Sequence, residues 1–452
     1  MSTERDGVTV VVGAGLSGLV SAYRWRQRGG PVILAERAPY TGGMARSIQV
    51  DGFTFDFGPH IIIERTRLLD ELFTERDLVQ FTPQTDIVIE DTWIRFPFTL
   101  SSLLKVPPRV QWDFLRTRMF GLTNVHDVGP PSSFRRNMSG VFGPEMYEYF
   151  FRPYITKKLG GMDLSDNLHS DWWAMTEHDR GVVTRVPSPV VSRSSSLLRA
   201  IRRATRLTKE LPWVFRKAQM LYPRGGFGEI ARRTTDRIAD LGVDLRLNTD
   251  VCELKRDERR IVRVTLGDET VPVRRLIWTG SPNVLARMLG TSPLALPMLH
   301  LVVYFVTMDR RYPRRGTEVR PLAPEIPFYR GYFPECISPE LTPEGRSAIV
   351  TEMGVANIED LDNVERQYDA VADACVELGL CPRGGITSIS HAVQPDCYPL
   401  YTLDYEQHLQ RFYADLLPIE NLILAGRNAR FQYINSHQAI RNGEQTIDDR
   451  LF

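Results

Sequence analysis

Between Val8 and Glu36 the chain runs through an apolar β-branched stretch (Val8 to Val12), a glycine-rich turn, a segment with helical periodicity (residues 16–28), a second apolar run (Val32 to Leu34) and an acid. That order is a βαβ unit, and it commits the surrounding fold to a parallel sheet flanked by helices. The turn itself, Gly13-Ala14-Gly15-Leu16-Ser17-Gly18, fits G-x-G-x-x-G. Its glycines permit a tight turn, a close approach of backbone to a pyrophosphate, and close packing of helix on strand, and the helix N-terminus faces the phosphate charge. Alone the pattern is weak. With a strand before it, a helix after it, and Glu36 about twenty residues further on where a ribose hydroxyl would be met, it specifies a dinucleotide. An acid at that place prefers an unphosphorylated ribose, as in NAD or FAD, and Leu16, Ser17 and Arg37 complete the candidate cofactor contacts of this unit.

The next segment separates the two dinucleotides. Glu36-Arg37-Ala38-Pro39-Tyr40-Thr41-Gly42-Gly43-Met44-Ala45-Arg46-Ser47 resembles the second glycine motif of the amine oxidase and protoporphyrinogen oxidase flavoproteins. The resemblance implies FAD, with Gly42, Gly43, Ala45 and Arg46 along its pyrophosphate. Phe55-Asp56-Phe57-Gly58-Pro59-His60 is similar to the strand and turn that those flavoproteins place against the isoalloxazine ring, which makes Pro59 and His60 candidate flavin contacts and His60 a candidate catalytic residue.

Further along, Trp93 to Phe98 and Phe142 to Lys158 resemble segments shared by protoporphyrinogen-oxidase-like proteins and UDP-galactopyranose mutases. Tyr222 to Gly228 resembles the loop that leads a helix toward the flavin, and Asn248 to Val251 the strand whose valine meets the adenine. Near the end, Tyr398-Pro399-Leu400-Tyr401 and the stretch from Ala425 to Ile440 complete the pattern. They imply that Gly426 and Arg427 close the FAD site, with Arg427 a second candidate catalytic residue. Ser436 and His437 depart from the mutase pattern, where Met-Asp or Met-His is more usual.

A chain of 452 residues exceeds one ordinary core, so several domains are expected. The reading is an α/β fold, α+β in its substrate domain: a Rossmann-type FAD-binding domain with an interleaved substrate-binding domain and a helical insertion. The segments are 1–67, 222–282 and 401–452 for FAD, 68–221 for the helical insertion and 283–400 for the substrate domain. Within these, residues 242–266 read as three short strands with turns at Asp250 and at 257–260, residues 108–120 and 196–208 as helices, and residues 422–425 as a buried strand.

Lys+Arg 56 nearly cancel Asp+Glu 55, so net charge says nothing about partners, and nucleic acid is not expected among them. The N-terminus lacks a secretory cleavage pattern. The longest dense apolar stretch elsewhere, residues 299–308, is well short of the roughly 20 residues that cross a bilayer, so no transmembrane helix is expected. Five cysteines form neither a CxxC pair nor a framework, which fits reduced thiols in the cytoplasm. The basic, leucine-interleaved run that includes Arg199, Arg202, Arg203, Arg206 and Lys209 suggests a surface helix, with peripheral contact to anionic lipid through residues 196–217 as its functional reading.

HExxH and GxSxG motifs are absent, and no metal is expected. A flavin needs only a substrate carbon positioned against it in a site closed to water. Two chemistries follow from the resemblance: oxidation by hydride transfer from a small molecule to flavin N5, which chain length and the Tyr222 to Gly228 and Tyr398 to Tyr401 segments favour, and redox-neutral isomerisation of a sugar nucleotide. A flavoprotein without turnover is a third. For substrate contacts, Arg152, Arg330 and Arg427 could clamp the diphosphate of a sugar nucleotide, and Tyr154, Tyr398, Tyr401 and Tyr433 could stack on a sugar or line an oxidase cage. The sequence leaves oligomeric state open.

Overall fold

A computed structural model of the chain describes residues 7–96, 100–120, 133–170, 172, 220–314 and 316–448. Val8–Val12 forms the middle of a first sheet because its β-branched side chains are buried on both faces, Val10 and Val11 completely. It pairs in parallel with Val32–Ala35 on one side and with Glu269–Trp278 on the other. The strand order is Val251–Asp257, Arg260–Leu266, Glu269–Trp278, Val8–Val12, Val32–Ala35, Asp244–Arg246, and Leu422–Leu424 also pairs with Glu269–Trp278. The long strand Glu269–Trp278 serves twice. Its first half closes an antiparallel meander with Arg260–Leu266, and its second half lies parallel to Val8–Val12, so the three strands expected between residues 242 and 266 belong to this one sheet.

The helix after the glycine turn, Leu16–Gln27, packs on Ser436–Gln445 near the end of the chain. The approach is close enough that a Cβ on Gly443 would stand 2.6 Å from the Ser17 carbonyl oxygen, and the Ser17 hydroxyl donates to the Ala439 carbonyl at 2.7 Å. The C-terminal segment is thereby fixed against the first turn.

A second seven-stranded sheet has the order Ile386–Pro399, Met298–Met308, Ser347–Val355, Arg330–Tyr332, Glu318–Pro321, Thr85–Ile89, Thr92–Phe96. The second strand in that order, Met298–Met308, is the apolar stretch noted in the sequence, buried from Leu299 onward on both faces. The stretch expected to be a helical insertion is therefore mixed. It holds the helices Pro108–Phe120, Phe134–Phe142 and Arg152–Lys158. Its described residues also hold the strand Leu78–Phe81 and the hairpin Thr85–Ile89 with Thr92–Phe96, turned by Glu90 at φ 49°. Alternating β-branched and aromatic residues favour that hairpin, and its pairing with Glu318–Pro321 draws it into the distant sheet. The helix expected at 196–208 and the basic run at 196–217 lie outside the described residues. Among the described residues no helix is long and apolar enough to cross a membrane.

Candidate functional site

A cavity of about 350 Å³ runs along the glycine turn at the carboxyl end of Val8–Val12, the place where an open α/β sheet takes its ligand. The three glycines of the turn have different reasons to be glycine. Gly13 has φ +94°, and a Cβ there would strike the Thr279 hydroxyl, which donates to the Val12 carbonyl at 2.7 Å. A Cβ on Gly18 would land on the Gly13 carbonyl. Gly15 is different: its φ of −69° suits any residue, and a Cβ would meet no atom of the protein within 4 Å. Gly15 lines the cavity, so its bare backbone serves whatever fills that space.

Leu16 and Ser17 line the cavity as well. Glu36 and Arg37 stand at the end of the second strand, with the Glu36 carboxylate accepting from the amides of Ala14 at 2.7 Å and Ala38 at 2.9 Å. The second glycine pair packs directly on the first turn: the Gly42 amide donates to the Ala14 carbonyl at 2.8 Å, and a Cβ on Gly43 would lie 3.3 Å from Gly15 Cα. Ala45, Val251 and Gly426 complete the lining among the residues expected from sequence, and Cys397 joins them. Arg46 is placed beside this wall without lining it. Its guanidinium lies over the rings of Phe57 at 4.0 Å and Tyr40 at 4.2 Å and donates to the Gly43 carbonyl at 2.8 Å, and burial pushes its pKa down.

At His60, Arg427, Asn435 and Ser436 the cavity meets a smaller chamber of about 60 Å³. Phe57 to Ile61, Tyr154, Lys158, Arg330, Tyr398 and Tyr433 also line it, so Pro59 faces this chamber. The turn that carries His60 is pinned from two directions. The buried Asp56 carboxylate accepts from Ser47 Oγ at 2.6 Å, from the Phe227 amide at 3.2 Å and from the Tyr222 hydroxyl, and its burial pushes its pKa up to about 6. Phe55 stacks on Phe305 of the second sheet at 4.8 Å, and the His60 ring stacks on Phe227 at 5.0 Å. Gly58, at φ +115°, leaves room for Glu352, since a Cβ would come 2.7 Å from its Oε1. Glu352 is fully buried, pairs with Arg330 at 2.6 Å and accepts from the Tyr329 hydroxyl.

Two expected substrate residues lie elsewhere. Arg152 is half exposed and pairs with Glu148 at 2.9 Å and Asp163 at 2.8 Å, because two residues along a helix turn a side chain to the face opposite Tyr154. Tyr401 is buried in the core, stacked on Tyr405 at 4.4 Å. Its hydroxyl accepts from the Tyr433 amide at 2.8 Å, so it supports a lining residue without being one. Lys158 is a charged lining residue that sequence reasoning passed over. Pro153 has no N–H to give the helix, and the turn before it widens into a π-helix at Tyr147–Phe151. From there Tyr154 and Lys158, four apart, share the buried face.

The sequence model of the flavin containing amine oxidoreductases matches residues 16–446. The chain belongs to that family. FAD is its cofactor, and the cavity fits it: a wall that includes Glu36, both glycine turns and Arg427, a glycine with no protein atom within 4 Å of a Cβ built on it, and a helix N-terminus at the turn. Among curated relatives of this flavin-family chain, a 4,4'-diapolycopene oxygenase of Methylomonas sp is 24% identical over 360 residues, 70% of this chain and 65% of that protein. The chain thus spans just under two thirds of that relative's length. Among solved structures, reduced UDP-galactopyranose mutase superposes with a TM-score of 0.77 at 18% identity, covering 98% of this chain and 93% of the other. Cyclohexylamine oxidase from Brevibacterium oxydans gives 0.64 at 16% identity, covering 97% of each. These structural likenesses are likenesses of fold.

Proposed function

We propose that the chain is an FAD-dependent oxidoreductase that accepts a hydride from a small molecule held in the chamber beside His60 and Arg427. The observation that supports this reading is the junction of the two cavities at His60, Arg427, Asn435 and Ser436, which sets a molecule in the smaller chamber edge to edge with the occupant of the larger one. Bound FAD supplies the acceptor of the electron pair. The chain's residues do the rest. Gly13 to Gly18 and Gly42 to Ala45 hold the dinucleotide, and Phe57, Tyr398 and Tyr433 wall the chamber against water. The Gly58 to His60 turn, fixed through Asp56 and Phe227, sets His60 at the junction. The five cysteines stand as free thiols, which supports a cytoplasmic setting.

A second reading, redox-neutral isomerisation of a sugar nucleotide, draws support from the three cationic side chains of the chamber, Lys158, Arg330 and Arg427. Anaerobic titration of the FAD-loaded protein separates the two. Bleaching of the oxidised flavin by an added small molecule supports oxidation. Turnover of UDP-galactose or UDP-galactofuranose by dithionite-reduced protein alone supports isomerisation. A purified protein that fails to take up FAD refutes both.

A further inference from the structure

We propose that Asp396 is a cofactor-binding residue: a bulge in the second sheet sets it in the wall of the FAD cavity, where its carboxylate accepts a hydrogen bond from a hydroxyl or the ring N–H of the flavin half of FAD. The inference rests on FAD filling the larger cavity with its flavin toward the chamber, as the proposed function has it.

Backbone is the first argument. Where Met298–Met308 pairs with Ile386–Pro399, Leu299 stands opposite Tyr398 and Leu301 opposite Gln394. Pro395, Asp396 and Cys397 therefore share the single partner His300, two residues more than regular pairing holds. Pro395 has no N–H to give a ladder, and its carbonyl accepts from Gln394 Nε2 at 2.9 Å. The Asp396 amide donates to His300 Nδ1 at 3.0 Å, so the buried imidazole replaces a ladder bond that the bulge removes. Asp396 itself has φ +49°, in the left-handed region that few side chains adopt. Bulges gather beside active sites because they re-aim a side chain.

Position is the second. Gln394, Pro395, Asp396 and Cys397 line the larger cavity, and Tyr398 lines the chamber. Two residues of strand span about 7 Å, so Asp396 stands at the chamber end of the cavity. The other acids of the lining, Glu36 and Asp250, keep to the opposite end beside Val251, where the Thr249 amide donates to the Glu36 carbonyl at 2.9 Å.

Availability is the third. Glu36 spends its two carboxylate oxygens on the amides of Ala14 and Ala38. The Asp396 side chain is 47% exposed, and its carboxylate accepts no hydrogen bond from the described residues. His300 Nδ1, 3.7 Å from it, is itself the acceptor of the Asp396 amide. An acid held on a strained backbone in the wall of a cofactor cavity, with no donor from the protein, has its use in the occupant. The flavin half of FAD offers sugar-alcohol hydroxyls and one ring N–H, and a bond from either to a carboxylate is charge-assisted.

The test compares Asp396→Gly and Asp396→Asn with wild type. Glycine and asparagine both tolerate φ +49°, so the bulge is kept while the charged acceptor is removed. Urea unfolding should find both apoproteins no less stable than wild type. Titration with FAD, followed by fluorescence, should find Asp396→Gly weaker by at least about tenfold, with Asp396→Asn in between because its amide oxygen is a neutral acceptor. The midpoint potential of the bound flavin at saturating FAD names the donor. A rise in Asp396→Asn assigns the contact to the ring N–H, since a fixed negative charge there opposes the electrons of reduction, and an unchanged potential assigns it to a hydroxyl. Wild-type FAD affinity in Asp396→Gly overturns the proposal and leaves Asp396 a residue of the bulge alone. Weaker FAD binding matched by a weakened apoprotein overturns it too, because the acid would then serve the fold. Neither result touches the functional reading, which fails only where the wild-type protein takes up no FAD or its flavin is reduced by no substrate.

Discussion

Replacing Gly15 by alanine separates the needs of the fold from the needs of the cofactor. The backbone at Gly15 (φ −69°, ψ 176°) is one that alanine adopts freely, and a Cβ there meets no protein atom within 4 Å. The apoprotein should lose nothing, and restriction of the unfolded chain should add about 0.4–1 kcal/mol of stability. In the loaded protein the new methyl would project into the cavity, against the pyrophosphate proposed to lie along this turn. Loss of one charge-assisted hydrogen bond there costs about 1.5–3 kcal/mol, a drop in FAD affinity of about ten- to a hundredfold. At a FAD concentration 100 times the wild-type Kd, ligand binding adds about 2.7 kcal/mol to stability, and a hundredfold weaker variant would keep only about 0.4 kcal/mol of it. Urea unfolding with and without FAD reads both effects, and fluorescence titration gives the affinity directly. Gly18→Ala is the control. Its Cβ lands on the Gly13 carbonyl, so it should destabilise the apoprotein by about 1–3 kcal/mol. Unchanged FAD affinity in Gly15→Ala, or an apoprotein weakened as much as Gly18→Ala, would refute the assignment of Gly15 to the cofactor.

The folded Asp56 carboxyl titrates near 6, above its usual 3.8, so the folded chain binds this proton more tightly than the unfolded one. The stability it contributes is complete below pH 3.8 and is lost as pH rises to about 6, a change of about 3 kcal/mol over that window. Asp56→Asn should remove this dependence, so wild type should weaken relative to the variant from pH 4 to 6.5 in urea melts; parallel curves would contradict it. Arg330→Met leaves the fully buried Glu352 without its cation and should cost about 3–5 kcal/mol, with the Arg330→Met, Glu352→Leu double variant recovering part of that; a cost below about 1 kcal/mol would mean the pair is not held as described. His60→Ala should retain FAD, losing a ring contact with Phe227 worth about 0.5–1.5 kcal/mol, while substrate-driven flavin reduction slows; unchanged reduction rates would reduce His60 to a turn residue.

The dinucleotide unit was legible because everything it needs lies within a few dozen residues: an apolar strand, a turn whose glycines have local reasons, a helix, and Glu36. The meander was legible for the same reason, as its strands are joined by short turns. The hairpin of Thr85–Ile89 and Thr92–Phe96 was missed because its place is set by a partner more than 200 residues away, Glu318–Pro321. Alternation along a strand fixes which face is buried and says nothing of which strand it will pair with.

The site shows a sharper version of the same limit, and one part of it was avoidable. Arg152 and Tyr154 were both expected at the substrate, yet two residues in a helix turn through about 200°, so one helix cannot point both inward. Choosing Tyr154 for the inner face selects Lys158, four residues on, and sends Arg152 to solvent, where it meets Glu148 and Asp163. Helical phase alone could therefore have replaced Arg152 with Lys158. It could not have shown that Lys158 converges with Arg427 on the Tyr398 and Tyr433 rings, since that requires the helix, a strand of the second sheet and the C-terminal segment to be docked together. The wall proposed for FAD is built from short-range motifs and can be read in advance. The wall of the smaller chamber is assembled from distant segments, and its composition emerges only when they meet.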